Sequence, residues 1–383
     1  IHSPFQLFRV MKNMEELERA MDYPWDKWAV FLHPAQQQIV EKEYSGPARV
    51  AGSAGTGKTI VALHRAVFLA RKNPDARILL TTFSKILANA LKVKLRRLIS
   101  NEPHLAERIE IQPIDEVGIR LYKANIGLTN LVSKADVEQF LKAASDVAET
   151  HKFSLAFLYS EWEDVVDAWQ LKTWESYRDV KRLGRKTRLP EPQRLILWSI
   201  FSSVLAQLAQ SNQKTLPMIF YQLADYVVST GRTPFDFAAV DEAQDIGIHH
   251  LKLLAALGLH KNNALFFAGD LGQRIFRQPF SWKSLGVDVR GRSKSLQVNY
   301  RTSHQIRRQS DRLLGPEVSD VDGNVEDRSK TVSVFNGPQP EIKTFKSASA
   351  ENQFVGNWVK AFLDKGFSPH EIGVFVRSPK EIA

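Results

Sequence analysis

Cysteine is absent from this 383-residue sequence. Its absence excludes disulfide bonds, thiolate metal sites and cysteine nucleophiles, and it agrees with the reducing cytoplasm, where we expect the protein to act. Long hydrophobic runs are also lacking, so no segment reaches the length of a membrane span. No basic segment followed by an apolar core marks a secretory signal near the first residues. We therefore expect no membrane partner.

Acidic residues are in the minority. The 42 Asp and Glu residues are outnumbered by 52 Lys and Arg residues, which gives a formal net charge of +10. A basic excess favours polyanionic partners, because Lys and Arg neutralise phosphates and release bound counterions. The same charge can serve solubility alone, and composition does not separate the two interpretations. The length favours two or three domains over one compact core.

Strand and helix patterns alternate over much of the sequence. Predicted strands cover residues 48–51, 77–81, 109–112, 237–240 and 264–268. Predicted helices at 58–71 and 85–98 separate the first three of these strands. The alternation predicts an α/β fold with a parallel, doubly wound sheet.

A different pattern interrupts this alternation. Residues from about 135 to 210 read as mostly helical and rich in charge and tryptophan, which predicts a helical domain inserted into the α/β domain. The polar stretch 317–330 predicts a loop. Beyond it, strand patterns at 341–344 and 372–376 enclose a helix pattern at 351–363, which predicts the start of a second α/β unit.

One glycine-rich segment matches the phosphate-binding loop pattern in full, and it lies between a predicted strand and a predicted helix. Glycine lets the backbone approach phosphate closely, and successive amides together with the helix N-terminus form an anion site. Lys58 is expected to reach the β- and γ-phosphates, and the Thr59 hydroxyl to ligate Mg²⁺. The residues predicted to bind the nucleotide here are Gly52, Ser53, Ala54, Gly55, Thr56, Gly57, Lys58 and Thr59.

Two adjacent carboxylates follow the apolar strand at 237–240. Phosphoryl transfer needs one carboxylate to hold the metal and another to polarise the attacking water. The order of the residues favours Asp241 for the metal and Glu242 for the general base. Together with the phosphate-binding loop, the pair predicts hydrolysis of ATP with Mg²⁺ as cofactor.

Two other polar clusters do not predict a metal site. The segment from Asp320 to Asn324 is similar to a calcium-binding loop, but its glycine comes too early for that pattern. His249 and His250 lack metal partners at a useful spacing in the sequence. We expect both histidines on the surface.

With these motifs in order, the sequence resembles UvrD/Rep-type superfamily-1 helicases. The segments that carry the resemblance are Leu32–Gln36 (the Q-motif), the phosphate-binding loop, Thr82–Ser84 ("TFT"), Asp241–Asp245 ("DExQD"), Gly269–Phe276 ("GDxxQSIY") and Asn299–Ser303 ("NYRS"). The resemblance implies a RecA-like P-loop NTPase lobe with an inserted helical domain, followed by the beginning of a second RecA-like lobe.

The resemblance also assigns roles at the nucleotide. It implies that the Gln36 amide reads adenine and that Tyr300 stacks on it. Gln273 is implied to sense the γ-phosphate and to couple it to the bound strand. Arg301 is implied to act as an arginine finger that stabilises charge on the transferring phosphoryl group. Arg274 departs from the serine usual at its position.

Contacts to a nucleic-acid strand follow from the same resemblance. The family's single-strand-contacting motif corresponds to Thr82, Phe83 and Ser84. Phe276 takes the place of an aromatic residue that stacks on a base. Trp282 is a further stacking candidate, with a core tryptophan as the alternative. The basic run 181–188 can either grip duplex phosphates or form a solvated loop.

The domain boundaries implied by the resemblance are as follows. Residues 1–30 form an N-terminal segment to which the sequence assigns no role. Residues 31–118 and 214–293 form the first lobe, 119–213 form the inserted helical domain, and 294–383 begin the second lobe. The family's later motifs have no counterpart in the sequence, so we expect nucleotide binding from this segment alone but not unwinding.

The function implied is an ATP-dependent DNA helicase or translocase that moves 3′ to 5′ on single-stranded DNA. Its partners would be single strands, single-strand/duplex junctions, and proteins of a repair or defence complex. One alternative is a nucleotide-dependent switch or subunit that does not unwind. Another is a superfamily-1 helicase directed to RNA.

Overall fold

The computed structural model describes residues 32–185, 187–258, 261–274, 278–315 and 317–378. The chain separates into two compact units after Asn336. The N-terminal segment 1–30 and the predicted base-stacking residue Phe276 lie outside the described residues.

The described strands and helices are numbered here in chain order. The strands are β1 (Ala48–Ala51), β2 (Ile78–Thr82), β3 (Ile109–Pro113), β4 (Asn130–Leu131), β5 (Gln213–Lys214), β6 (Phe237–Val240), β7 (Leu265–Ala268), β8 (Ser293–Ser295), β9 (Val298–Asn299), β10 (Glu317–Ser319), β11 (Val325–Asp327) and β12 (Val332–Ser333). The helices are α1 (Pro34–Glu41), α2 (Lys58–Lys72), α3 (Lys85–Leu98), α4 (Ile114–Asn125), α5 (Lys134–Val147), α6 (Leu155–Glu161), α7 (Trp174–Asp179), α8 (Glu191–Gln210), α9 (Leu216–Thr230), α10 (Ile248–Gly258), α11 (His304–Asp311) and α12 (Ala348–Asp364).

A six-stranded sheet in the order β3-β2-β6-β7-β1-β8 forms the centre of the first unit. All five strand pairs are parallel. Strands this short and this apolar are typical of a sheet covered on both faces. The predicted α/β class with a parallel sheet is confirmed, and so are the predicted helices α2 and α3.

The edge strand β8 was not predicted. Its three polar residues pair with β1 in the first sheet, through Arg49↔Ser293 and Ala51↔Ser295. The predicted lobe boundary at 293/294 runs through this strand. A short polar edge strand carries no apolar pattern, so only its pairing identifies it.

Each face of the sheet carries its own hydrophobic core. One core combines the sheet with apolar residues of α2 and α3, including Val67 and Leu91. The other combines the sheet with α4, α9 and α10, and Phe220 of α9 is fully buried within it. These two cores hold the carboxyl ends of the strands at one edge, where the predicted site residues follow.

The inserted helical domain has a separate core between Val137 and Leu208. A turn of π-helix at Trp162–Asp167 continues α6, and Trp162 and Phe201 pack at a ring separation of 6.0 Å. The parallel pair β4–β5 lies where the chain enters and leaves this domain. The mostly helical prediction for this region is confirmed.

In its described residues the basic run 181–188 is a loop between α7 and α8 with Lys181 and Arg188 exposed, as one of its two interpretations predicted, but Arg182 and Arg185 are exceptions. Arg182 and Arg185 are 6% and 11% exposed, and both form ion pairs with the fully buried Glu161, at 2.6 and 2.8 Å. Arg185 also pairs with Asp164 at 3.0 Å. These two guanidinium groups therefore hold the helical domain together and are not presented to phosphates or to solvent.

Residues 317–330 do not form the predicted loop. Strands β10 and β11 pair as an antiparallel hairpin, with Val318 opposite Glu326. Asp320 accepts hydrogen bonds from the amides of Asp322 and Asn324, at 3.0 and 2.8 Å, and so closes the turn. Of the carboxylates that resembled a calcium loop, Asp320 is thus used in turn geometry, and Asp322 accepts the Trp282 amide.

The second unit contains helix α12, which confirms the predicted helix. Phe345 packs against Phe354 within this unit, at a ring separation of 5.2 Å. In the described part of 337–378, the predicted strands at 341–344 and 372–376 are not formed. An extended segment becomes a strand only through ladder hydrogen bonds to a neighbour. None of the described helices is both long and apolar enough to cross a membrane.

Candidate functional site

Four strands of the sheet end at the predicted site. The phosphate-binding loop follows β1, Phe83 follows β2, Asp241 follows β6, and Gly269 follows β7. Parallel strands place their carboxyl ends at one edge, and ligands of open α/β sheets bind outside that edge. The fold therefore gathers residues that are far apart in the sequence.

Two glycines show why the phosphate-binding loop has its sequence. Gly57 precedes α2 with φ of 89°, in the left-handed region that favours glycine. A Cβ atom there would lie 2.6 Å from Nε2 of Gln36. Gly52 has φ of 145°, and a Cβ there would lie 2.8 Å from Oγ1 of Thr56. The loop wraps tightly over the first turn of α2, where free amides and the helix dipole favour an anion.

Lys58 lies at the centre of the loop and is 9% exposed. Its ammonium donates to the carbonyl oxygens of Gly52 and Ser53, at 2.7 and 3.1 Å. Burial lowers the pKa of Lys58, and the charges of Asp270, Glu242 and Asp241 oppose that shift. A buried cation among carboxylates is suited to hold the β- and γ-phosphates.

Asp241 and Thr59 meet across the sheet edge. The Asp241 carboxyl group is hydrogen-bonded to the Thr59 side chain, and burial raises its pKa to about 7, with the charge of Glu242 adding to the effect. The Asp241 amide donates to Thr81 O at 2.8 Å, which fixes the backbone. A hydroxyl and a carboxylate are the hard oxygen ligands that Mg²⁺ prefers, so these two residues fit that cation.

Glu242 is joined to the next strand by a glutamine that the sequence predictions did not single out. Gln244 donates from Nε2 to Oε2 of Glu242 at 2.7 Å, and its Oε1 accepts the Asp270 amide at 2.9 Å. Asp270 Oδ2 in turn accepts Nε2 of Gln273 at 2.9 Å. A continuous chain of hydrogen bonds therefore links the predicted general base to the predicted γ-phosphate sensor.

Glu242 also has an unusual backbone. Its φ of 52° is in the left-handed region, which costs free energy for a residue with a side chain. This conformation turns the chain from β6 into the short 3-10 helix Ala243–Asp245.

Gln36 lies directly against the loop and is 6% exposed. Its Nε2 donates to Thr56 O at 3.1 Å, and its Oε1 accepts the His33 amide at 2.9 Å as part of the α1 capping box. Both ends of the amide thus hold α1 and the phosphate-binding loop together. These bonds are intramolecular and do not test the predicted contact of Gln36 with adenine, which stays a prediction.

The segment Asn299–Ser303 packs on the phosphate-binding loop. Asn299 donates from Nδ2 to Ala54 O at 2.9 Å, and the Tyr300 amide donates to Gly55 O at 2.9 Å. The Asn299 Oδ1 accepts the Arg301 amide at 2.9 Å. Asn299 is a site residue missed by the sequence predictions, although it opens the motif that contains Tyr300 and Arg301.

The predicted strand-contacting residues have different surroundings. Thr82 is fully buried at the end of β2, and Ser84 caps α3 by accepting the Leu87 amide at 3.3 Å. Phe83 is half-buried and lines a shallow depression of 360 Å³, with Gln273 on the same wall. Phe83 is therefore the member of this motif that faces an open surface beside the predicted sensor. The full lining of the depression is Phe83, Leu87, Glu242, Gln244, Asp245, Gly272 and Gln273.

Trp282 is a core tryptophan, which was the alternative to a stacking residue. Its side chain is 9% exposed and packs against Phe267 of β7 at a ring separation of 4.7 Å. Its amide donates to Asp322 at 2.7 Å. We therefore remove Trp282 from the proposed strand contacts, because its ring is committed to the core.

The prediction that His249 and His250 lie on the surface was wrong. They are 5% and 2% exposed, and the fold brings Asp115 of α4 next to them, with ligand atoms within 4.8 Å of one another. The Gly247 amide donates to Nδ1 of His250 at 3.0 Å, so the proton resides on Nε2, which lies 2.6 Å from Asp115 Oδ1. This tautomer does not offer Nε2 to a metal, and the contact joins α10 to α4.

The chain matches the model of one protein family. The UvrD/REP helicase N-terminal domain matches residues 32–279, more than half of the chain and nearly all of the sheet and inserted domain. A search of curated proteins gave no match. The family match agrees with the parallel sheet and with the motif order along its strand ends. The chain therefore belongs to the UvrD/REP helicase family, and its general function is that of a helicase-type ATPase.

Proposed function

We propose that this chain binds and hydrolyses Mg²⁺-ATP and couples the cycle to 3′-to-5′ movement on single-stranded DNA and, together with the family's later motifs, to separation of the duplex. The observation that carries the proposal is the hydrogen bond between Thr59 and Asp241 beside the buried Lys58. Three residues from two strand ends converge there in the arrangement that a metal-bound triphosphate requires.

The residues divide the chemistry between them. Lys58 and the loop amides hold the phosphates, while the Thr59 hydroxyl and the Asp241 carboxylate hold the metal. Mg²⁺ held there would neutralise part of the negative charge of the triphosphate. Glu242 accepts a proton from the attacking water. The oxygen of that water forms a bond to the γ-phosphorus while the bond from the γ-phosphorus to the leaving ADP oxygen breaks. Arg301 is proposed as the arginine finger.

Coupling to the strand is supported by the depression beside Phe83. Its walls combine Phe83 with Glu242 and Gln273, so one open surface borders both the proposed base and the proposed sensor. An aromatic side chain gives a stacking surface for any base, which suits movement along an arbitrary sequence. The net charge of +10 favours the phosphates of such a partner.

Substitution of the proposed base tests the chemistry. Glu242→Gln should bind Mg²⁺-ATP as the wild type does, because the loop, Lys58 and Asp241 are unchanged. Its kcat should fall by about 10²- to 10⁴-fold, the usual contribution of a general base. Binding is measured by titration with a fluorescent ATP analogue, and turnover by phosphate release in the presence of single-stranded DNA.

Asp236→Asn is the matched control for that variant. Asp236 precedes β6 at the opposite end from Glu242, and its carboxylate accepts the Arg77 amide at 2.9 Å. Its kcat should equal that of the wild type. Undiminished turnover in Glu242→Gln would remove Glu242 from its role. A wild type that binds ATP without DNA-stimulated turnover would favour the nucleotide-dependent switch instead.

A further inference from the structure

Arg328 lies outside the segment that matches the family and outside the sequence-predicted site. It directly follows the β10–β11 hairpin, and its side chain is 11% exposed. Its Nη1 forms an ion pair with Oδ1 of Asp270 at 3.0 Å, and its Nη2 lies 3.4 Å from Oδ1 of Asp311. The guanidinium thus bridges the loop after β7 and helix α11.

Asp270 is the point where this bridge reaches the site. It is fully buried, and it begins the segment 270–274 after β7, here called the sensor loop. Each of its carboxylate oxygens accepts a bond from this loop: Oδ1 from the Gly272 amide and Oδ2 from Nε2 of Gln273, both at 2.9 Å. Its amide donates to Gln244, which contacts Glu242. Among the nearby charges, that of Asp270 opposes the lowered pKa of Lys58 most strongly.

The backbone leaves room for this ion pair. A Cβ atom on Gly272 would lie 2.6 Å from Nη1 of Arg328 and 2.8 Å from Cδ1 of Leu314. The hairpin that precedes Arg328 is held to β1 by ion pairs of the buried Arg49 with Glu326 and, at 3.4 Å, with Asp320. Arg328 is therefore brought to Asp270 by an anchored element.

We propose that Arg328 is a positioning residue for ATP hydrolysis, which neutralises Asp270 and thereby holds Gln273 oriented toward the nucleotide. The inference rests on the proposed ATPase function. A fully buried carboxylate is strongly disfavoured once its cation is removed. Without Arg328, the Asp270 carboxylate loses its ion-pair partner and turns toward solvent, which removes the acceptor that fixes Gly272 and Gln273.

Arg328→Met tests this role, with Arg307→Met as the matched control. Arg307 is 12% exposed and pairs with the same Asp311 at 2.6 Å. Its loss therefore removes an equally buried ion pair that, among the described contacts, involves Asp311 and not Asp270. Arg328→Met should lower kcat by about 10- to 100-fold, because small misplacements of reacting groups cost that much. KM for ATP should change by less than about 3-fold, because the phosphate-binding loop keeps its own contacts.

Hydrogen exchange gives a readout that does not depend on activity. The amides of Gly272 and Gln273 are held by the side chain and the carbonyl group of Asp270. Their exchange, followed by mass spectrometry in peptides ending at Arg274, should accelerate in Arg328→Met and stay at the wild-type rate in Arg307→Met. Arg328→Lys should restore part of kcat, since it returns the charge to Asp270 without the second contact to Asp311.

The outcomes separate the two proposals. Equal kcat and equal exchange in Arg328→Met and Arg307→Met would overturn the positioning role. Absence of turnover in the wild type would overturn the proposed ATPase, and the exchange rates would then decide by themselves whether Arg328 holds the sensor loop. A Met variant with altered KM and unaltered kcat would assign Arg328 to nucleotide binding and contradict the inference.

Discussion

At the scale of single residues, burial changes the protonation of carboxyl groups outside the nucleotide site. Asp167 in the inserted domain accepts hydrogen bonds from Thr215 and Gln170, at 2.6 and 2.8 Å. Burial raises its pKa to about 7. In the unfolded chain the pKa of the same group is about 3.9. Between these two values the folded protein holds a proton that the unfolded chain has released.

The stability that Asp167 contributes decreases as the pH rises. Because the folded state binds the extra proton, the contribution of Asp167 to stability is complete below about pH 4 and is lost as the pH rises through about 7. Asp167→Asn keeps an oxygen acceptor and has no such loss. Its unfolding free energy relative to the wild type should therefore rise between about pH 5 and about pH 8, by about 3 kcal/mol. Urea unfolding at both pH values measures this.

The control for that measurement is Asp146→Asn on the exposed surface of the same domain. Its stability difference from the wild type should be nearly the same at both pH values. An Asp167→Asn difference that is equally independent of pH would show that the Asp167 carboxyl group is ionised in the folded protein.

Residues of the site differ in how far the sequence could predict them. Lys58, Thr59 and the Asp241–Glu242 pair lie in contiguous patterns, because phosphate binding needs consecutive amides and a strand end needs consecutive residues. Arg328 gave no such signal. It meets Asp270 only because a hairpin and a neighbouring loop fold together, 58 positions apart in the sequence. Contacts of this kind belong to the tertiary structure.

At the scale of elements, the inserted domain is held by a buried ion network. Glu161 is fully buried and accepts bonds from Arg182, Arg185 and Tyr177. Glu161→Ala should destabilise this domain by roughly 3–5 kcal/mol, because the buried Arg182 loses its counter-charge and Arg185 loses one of its two. Urea unfolding followed by the tryptophan fluorescence of this domain provides the measurement.

A solvent-exposed pair in the same domain is the control. Asp179 is 64% exposed and pairs with Arg178, which is 43% exposed, at 2.8 Å. Asp179→Ala should cost no more than about 1 kcal/mol. If Glu161→Ala cost as little, the network would contribute no more than a surface pair, and the two arginines would be able to serve phosphates after all.

Elements were predicted where their apolar pattern is strong, and missed where pairing alone defines them. The buried strands β6 and β7 carry continuous apolar runs, which the sequence displays. Strand β8 and the β10–β11 hairpin are short and polar, so their ladders and ion pairs are visible only in the folded chain. The burial of Arg182 and Arg185 was missed for the same reason, since their acidic partners lie about twenty positions earlier.

At the scale of the whole molecule, the proposed 3′-to-5′ movement leads to a prediction about direction. Separating a DNA duplex costs roughly 1.4 kcal/mol of stacking per base-pair step, small enough for a motor that advances stepwise. With ATP, a 3′-to-5′ motor should displace streptavidin from the 5′ end of a biotinylated DNA strand and leave it bound at the 3′ end. Glu242→Gln should displace neither, because it binds nucleotide without turnover. Displacement from the 3′ end alone would reverse the proposed polarity, and displacement from RNA strands alone would redirect the proposal to an RNA helicase.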